Sequence, residues 1–117
     1  VDKRGNYVGG MIIPGIAISL EALSSHTSQL PHINLEGPKR VIGTNTIDCM
    51  KSGIVYGNAA MIDGIIERVS QELGEKPTVV ATGGLAPNIT KYCKSDIICD
   101  SELILKGLRI LYNKNKP

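Results

Sequence analysis

Apolar residues recur at helical spacing in three long segments of the chain. The longest runs from Ile47 to Leu73, where an apolar side chain returns every three or four positions. Its stripe is wide enough to bury two faces, and Gly74 is placed to end the helix as a C-cap. A second helix is predicted over Ile16–Leu30. Pro31 would end it, because the residue before a proline avoids the helical region.

The third helical segment closes the chain. Ser101 is placed to cap it, and its main apolar positions, Ile104, Leu108 and Leu111, share one face. The pattern therefore predicts an amphipathic helix with a single apolar side.

Short apolar runs bounded by turn residues predict the strands. The predicted strand regions are a hairpin over Val1–Ile13 and single strands over Val41–Gly43, Thr78–Thr82 and Asp96–Asp100. A short helix near Pro87–Tyr92 separates the last two strands. This alternation predicts an α/β domain with a mixed sheet and flanking helices.

Composition narrows the class of protein. The chain has 117 residues, which suits one domain, and its hydrophobic residues (42%) include no Phe or Trp, so the core must be aliphatic. Its 13 Lys and Arg against 11 Asp and Glu give a net charge of +2, which argues against a nucleic-acid-binding module. No apolar run approaches the ~18–20 residues of a membrane span, so we expect no membrane partner.

The cysteines and histidines point away from a metal site. Cys49, Cys93 and Cys99 are odd in number and lack CxxC spacing, so we expect buried, reduced thiols in the cytoplasm. His26 and His32 have no neighbouring acidic or cysteine partner, which a metal site would need.

A glycine-rich turn, Thr82-Gly83-Gly84, follows one predicted strand and leads into the short helix. Glycines at such a turn let the backbone approach a ligand, and free amides at a helix N-terminus bind anions. The same turn also occurs in α/β folds without a ligand, and no Walker A lysine follows it here. The residues alone favour an ordinary turn over a ligand site.

Polar residues at the start of the long helix and along it allow two interpretations. Asn45 or Thr46 is suited to cap the helix, and the alternative is that Thr46 points its hydroxyl at a polar small molecule. Capping is favoured.

Asp63 and Glu67 lie one turn apart on the same helix and are interpreted as a solvated acidic face. No general base, nucleophile or metal site can be assigned from these residues alone.

Short motifs follow one another in a fixed order along the whole chain. They are Gly9–Ile16, Ser19–Leu23, Leu30–Pro31, Ile42–Thr46, Met50–Gly53, Tyr56–Gly57, Thr82–Ala86 and Gly107–Arg109. Together they resemble the C-terminal half of type III pantothenate kinases, a family that includes the Bvg accessory factors. The resemblance implies an actin-like ATPase fold of the ribonuclease H-like type. Residues 1–117 would be its single C-terminal domain, and the N-terminal domain would lie outside this chain.

The resemblance also implies a reaction and its partners. Members of the family transfer the γ-phosphate of ATP to pantothenate, the first step of coenzyme A synthesis, with Mg²⁺ and a monovalent cation, K⁺ or NH₄⁺. They form homodimers, here through the helix Ile47–Leu73. Thr46 matches the threonine that reaches pantothenate across the dimer interface. Thr82, Gly83 and Gly84 match the nucleotide-binding motif on the adenosine side.

Departures from the family pattern set a further expectation. The phosphate-binding motifs, the catalytic Asp and the cation-binding Asp have no match in this chain. We therefore expect no catalytic or metal-binding residue here, and no kinase activity without the N-terminal half. Lys106 stands where the family usually has Glu, which reverses a charge. The alternatives are a non-catalytic dimerising or ligand-sensing regulatory module, and a half-domain that dimerises and binds no ligand.

Overall fold

The structure is a computed structural model that describes residues 1–25 and 32–116. Its elements in chain order are α1 (Ile16–Ser25), α2 (Thr46–Leu73), β1 (Val80–Ala81), α3 (Ala86–Thr90), β2 (Ile98–Cys99) and α4 (Leu103–Lys114). The predicted α/β class is confirmed, with helices dominating. Within the described part of the chain, no helix combines the length and apolar character needed to cross a membrane. The predicted end of the first helix at Leu30 and Pro31, and His26, fall outside the described residues.

α2 is the long helix that the apolar stripe predicts, and it begins one residue earlier than predicted. The side chain of Asn45 caps it by accepting a hydrogen bond from the N–H of Asp48 at 2.9 Å. At the other end Gly74 adopts a left-handed conformation, with φ of 69°, and its N–H donates to the carbonyl of Gln71. The predictions of Gly74 as the C-cap and of capping at Asn45 are confirmed. A cap of the Asn45 kind stabilises a helix by about 1 kcal/mol.

The core lies where one face of α2 packs against α3. Val55 and Ala59 from α2 and Ile89 from α3 are buried together. Partly buried apolar side chains surround them: Ile16, Leu35, Ile62, Tyr92 and Cys93. The cluster is almost entirely aliphatic, as the absence of Phe and Trp requires.

The described residues leave the opposite face of α2 uncovered. Gly53, Gly57 and Ala60 on that face are exposed, and a Cβ added at either glycine would meet no atom within 4 Å. The prediction that α2 buries two faces is therefore wrong for the single chain.

β1 and β2 pair in parallel, with Val80 opposite Ile98 and Ala81 opposite Cys99. α3 connects the two strands, so β1, α3 and β2 form a β-α-β unit whose strands end side by side. Both strands are shorter than predicted, since only two residues of each are paired. The sheet of the described residues is parallel rather than mixed.

The predicted hairpin over Val1–Ile13 is wrong. The segment contains a turn, in which the carboxylate of Asp2 accepts hydrogen bonds from the N–H groups of Arg4 at 2.9 Å and Asn6 at 2.8 Å. No strand follows this turn, and the apolar side chains before α1 are exposed, Ile12 completely so. A β-strand needs a neighbour to pair its backbone groups, and among the described residues this segment has none.

The predicted strand Val41–Gly43 is also irregular. The hydroxyl of Ser52, on the first half of α2, donates a hydrogen bond to the carbonyl of Val41 and holds this segment against the helix. A side chain thus satisfies the backbone group that a neighbouring strand would have paired.

α4 forms at the predicted place but begins at Leu103, and Ser101 does not cap it. Asp100 takes that role in part, because its Oδ1 accepts a hydrogen bond from the N–H of Glu102 at 3.0 Å. None of the side chains of α4 is buried.

Candidate functional site

The Thr82-Gly83-Gly84 turn leaves the carboxyl end of β1 and enters α3. Gly83 has a φ of 107°, a conformation that side-chain-bearing residues rarely adopt, and its carbonyl accepts the N–H of Ala86 at 3.2 Å. A Cβ added at Gly83 or Gly84 would meet no atom within 4 Å. The turn is therefore tight and has open space in front of its backbone.

A cleft of about 410 Å³ lies against this turn. Ile16 of α1, Ile62 of α2 and Ile89 of α3 contribute apolar surface, and Thr82 and Thr90 also line the cleft. The hydroxyl of Thr90 lies within hydrogen-bond distance of Sγ of Cys99, at 3.1 Å. Small-molecule sites typically have this size and are mostly apolar, with a few polar groups that orient the ligand. A flat, largely apolar ring suits this cleft better than a charged group does.

The expectation that free amides at the start of α3 bind an anion gains no support. α3 spans five residues, and a helix this short carries little of the dipole that attracts an anion. A ligand at this turn could therefore approach the backbone closely, but it would not be attracted by a strong helix dipole.

Asp100 lies beside the turn, because it follows β2 as Thr82 follows β1. Its N–H donates to the carbonyl of Ala81 at 2.9 Å. Its carboxylate accepts a hydrogen bond from Nζ of Lys106 at 2.7 Å, and this contact lowers the pKa of Asp100. Lys106, which stands where the resemblance predicts Glu, thus has an acidic partner next to the cleft. Sequence reasoning missed Asp100, because its position is visible only from the register of the two strands.

Asp63 fixes the segment that joins α3 to β2. Its carboxylate oxygens accept hydrogen bonds from the N–H groups of Lys94 at 2.8 Å and Ser95 at 2.9 Å. The interpretation of Asp63 as part of a solvated face is therefore wrong. Glu67 is exposed, and its carboxylate accepts a long hydrogen bond from the side-chain amide of Gln71 at 3.5 Å.

The pKa of Asp63 makes the stabilisation by this contact depend on pH. Burial raises the pKa, but the hydrogen bonds from Lys94 and Ser95 outweigh it, so the pKa lies below its usual value of 3.8. A carboxyl whose pKa is lowered by folding stabilises the protein above its unfolded pKa, and this contribution is lost as the pH falls through the folded value.

Replacing Asp63 with Asn is expected to lower the free energy of unfolding by about 1 kcal/mol at pH 7, because an NH₂ group replaces one carboxylate oxygen and leaves one of the two backbone N–H groups without its acceptor. The difference from the unsubstituted chain should shrink between about pH 5 and pH 2. Urea denaturation at several pH values measures both. Glu67→Gln is the matched control and should change little. A loss at Glu67 equal to that at Asp63 would show that the two backbone contacts are not the cause.

The cysteines differ from the sequence prediction in their exposure. Cys93 is half-buried, and burial, followed by the nearby charge of Asp63, raises the pKa of its thiol. Cys49 and Cys99 are exposed, so the expectation of buried thiols is wrong for these two. Across residues 1–25 and 32–116, no three or more His, Cys, Asp and Glu side chains converge as metal ligands would.

Thr46 lies far from the cleft. It is exposed at the start of α2, and its hydroxyl has no hydrogen-bond partner among the described residues. Ile62, which lines the cleft, follows 16 positions later on the same helix. At 1.5 Å per residue this separation is about 24 Å along the helix axis. The structure therefore does not bring Thr46 together with Thr82, Gly83 and Gly84 within one chain.

Comparisons with known proteins give a consistent result. The family model described as type III pantothenate kinase matches residues 1–68. Proteins of that name from Acidothermus cellulolyticus and Anaeromyxobacter are 44% identical over 117 residues and 47% identical over 116 residues, which is 100% and 99% of this chain. A third, from Desulforapulum autotrophicum, is 48% identical over 112 residues. The chain covers 46%, 46% and 43% of these relatives, so it spans about half of their length and corresponds to their C-terminal part.

Proposed function

Because the chain belongs to the type III pantothenate kinase family, we propose that it supplies the C-terminal domain of a cytoplasmic enzyme that transfers the γ-phosphate of ATP to pantothenate, in coenzyme A biosynthesis. The observation that carries this proposal is the similarity of 44–48% identity that continues over nearly the whole chain. The domain would be part of an actin-like ATPase fold. The β-α-β unit and the packing of α2 on α3 are compatible with such a domain.

The cleft beside the Thr82-Gly83-Gly84 turn is the proposed nucleotide site. Its apolar lining suits the adenine ring, and the open backbone of the turn suits the polar groups of the base and ribose. The proposal assigns the adenosine end of ATP to this chain. This agrees with the apolar character of the cleft and with the shortness of α3.

The groups that bind the phosphates and the cations are assigned to the other domain. Phosphoryl transfer depends on groups that hold the phosphates, Mg²⁺ and the nucleophile in line. Among the described residues, no three or more His, Cys, Asp and Glu side chains converge as metal ligands would. Because the family's phosphate-binding motifs and catalytic Asp have no match in this sequence, the proposal places the catalytic and cation-binding groups outside this chain. It predicts that the 117-residue chain alone is inactive.

Thr46 is proposed to bind pantothenate in the active site of a second subunit. Thr46 lies about 24 Å from the cleft along one helix, so it does not contact the proposed nucleotide site of its own subunit. In a homodimer in which α2 crosses its counterpart, Thr46 would lie beside the active site of the partner. Its hydroxyl is exposed and has no hydrogen-bond partner among the described residues, so it is available to that site.

Small residues on one face of α2 support the same dimer. Gly53, Gly57, Ala60 and Gly64 recur at spacings of three and four and so share one face, opposite Val55 and Ala59 of the core. Residues without large side chains let two helix backbones approach closely. We propose this face of α2 as the dimer contact.

Replacing Thr46 with Val tests its proposed role, since Val keeps the shape and removes the hydroxyl. In the two-domain enzyme the KM for pantothenate should rise roughly two- to tenfold, as expected for the loss of one neutral hydrogen bond. Stability should not change, because Asn45 and not Thr46 caps α2. Thr44→Val, in the preceding loop, is the matched control and should leave the KM unchanged. An unchanged KM for Thr46→Val would contradict the assignment.

The proposed function itself is tested with a chimera. The part of the Acidothermus cellulolyticus kinase that precedes the matched region is joined to this chain, and ATP- and Mg²⁺-dependent phosphorylation of pantothenate is followed by product mass. The chimera should be active and the 117-residue chain inactive. Turnover by the 117-residue chain alone would contradict the proposal that the catalytic groups lie outside it. A folded chimera that binds ATP without turnover would instead favour the regulatory module.

A further inference from the structure

α4 presents an apolar face that nothing within the described chain covers. This α4 apolar face consists of Ile104, Leu105, Leu108, Leu111 and Tyr112, whose side chains are 56–66% exposed. No side chain of α4 is buried. A helix of twelve residues is only marginally stable in water without tertiary contacts. The α4 apolar face therefore needs a tertiary contact that the described residues do not provide.

Three polar residues of α4 lie on its other side. At 100° per residue, Lys106, Arg109 and Asn113 fall within one narrow arc, opposite Ile104, Leu108 and Leu111. Lys106 is already paired with Asp100. The side of α4 opposite the apolar face is thus polar and basic, so the helix can bury its apolar face while these residues stay in solvent.

The accessible surface of the chain shows how much contact area is available. A folded monomer of 12.5 kDa has an accessible surface of about 6,200 Å². The chain has 9041 Å², an excess of roughly 2,800 Å² over that expectation. Obligate interfaces bury a total of about 2,000 Å² or more. The excess belongs to the whole chain, including the exposed segment before α1, and the α4 apolar face is one part of it.

We propose that the α4 apolar face docks against the N-terminal domain of the same polypeptide, and that a second copy of this chain is not its occupant. The relatives match this chain through α4 and contain about as much chain again before the matched region. The second copy is already assigned to the glycine face of α2, on another element of the fold. This inference rests on family membership and requires no particular substrate.

The test compares one pair of substitutions in two contexts. Leu108→Gln with Leu111→Gln is introduced into the 117-residue chain and into the chimera that carries the preceding part of the Acidothermus kinase. In the chain alone the melting temperature should not change, because both side chains are already exposed. In the chimera it should fall by about 10 °C, since two buried leucines lose their contacts. Arg109→Gln with Asn113→Gln, on the polar side of α4, is the matched control and should change neither protein.

Hydrogen exchange and molecular mass give readouts that do not depend on kinase activity. The amides of α4 should exchange about tenfold or more slowly in the chimera than in the chain alone. Equal exchange in both proteins, or equal effects of the leucine pair in both, would overturn the proposal. It would also be overturned if the chain alone forms a dimer that Leu108→Gln with Leu111→Gln dissociates, since the occupant would then be a second copy. Failure of pantothenate phosphorylation in a chimera that passes these tests would count against the proposed function only.

Discussion

Replacing Ile89 with Ala is expected to lower the free energy of unfolding by about 2–5 kcal/mol, the range for deleting a large aliphatic side chain from a core. Ile89 is 1% exposed and lies between Val55 and Ala59 of α2 and the cleft. Deleting three of its carbons leaves a cavity that the rigid backbone of α2 cannot fill. Urea denaturation of the 117-residue chain, followed by circular dichroism, measures the loss.

The matched control for Ile89 is the same substitution on α4. Ile104 is 65% exposed, so Ile104→Ala removes the same atoms from a site already in water and should change stability by less than about 0.5 kcal/mol. Ile89 also lines the cleft, so if the cleft is the nucleotide site as proposed, its substitution should weaken ATP binding in the proposed two-domain enzyme. Equal losses at the two positions would mean that α2 and α3 do not pack as described.

Replacing Gly43 with Ala is expected to destabilise the protein by about 1–3 kcal/mol through overpacking. A Cβ on Gly43 would lie 2.5 Å from the backbone nitrogen of Cys49 and 2.7 Å from the carbonyl carbon of Asp48. Backbone atoms of the first turn of α2 cannot move aside as a flexible side chain can. The helix start must shift, and with it the Asn45 cap and the position of Thr46.

Gly107→Ala is the control that separates the steric effect at Gly43 from a general effect of replacing glycine with alanine. Gly107 lies inside α4, where a Cβ would meet no atom within 4 Å, so alanine there should increase helix stability by up to about 1 kcal/mol. Opposite signs at the two glycines are the expected result of thermal unfolding. In the two-domain enzyme Gly43→Ala should also raise the KM for pantothenate. Stability unchanged by Gly43→Ala would contradict the close approach of this loop to α2.

The sequence predicts the helices well and the strands poorly, for a physical reason. The signals for α2 are local: a long apolar stripe, an Asn before the first turn and a Gly after the last. A strand depends on a neighbour that is distant in sequence, and the apolar run Met11–Ile13 carries no information about whether one is present. The sequence predicts β1 and β2 at the correct places but makes them too long. It does not show how many residues of each strand have a pairing partner.

The same distinction applies to the candidate site. The Thr82-Gly83-Gly84 turn is readable from the sequence, because glycines after a buried strand indicate a tight turn. The roles of Asp63 and Asp100 are not readable, since the partners of Asp63 lie about thirty residues away and Asp100 meets the turn only through the strand register. The separation of Thr46 from the cleft likewise follows from the straightness of α2, which no motif encodes.

The parallel pair of β1 and β2 has a consequence for how a larger protein would be assembled. Two strands with two paired residues each are too few to form an independently stable sheet. Within the described residues, β1 pairs only with β2, so the outer side of each strand keeps backbone N–H and C=O groups that could accept a further strand. The pair therefore acts as a template for sheet extension. Strands added from elsewhere in a longer polypeptide would continue it outward on either side.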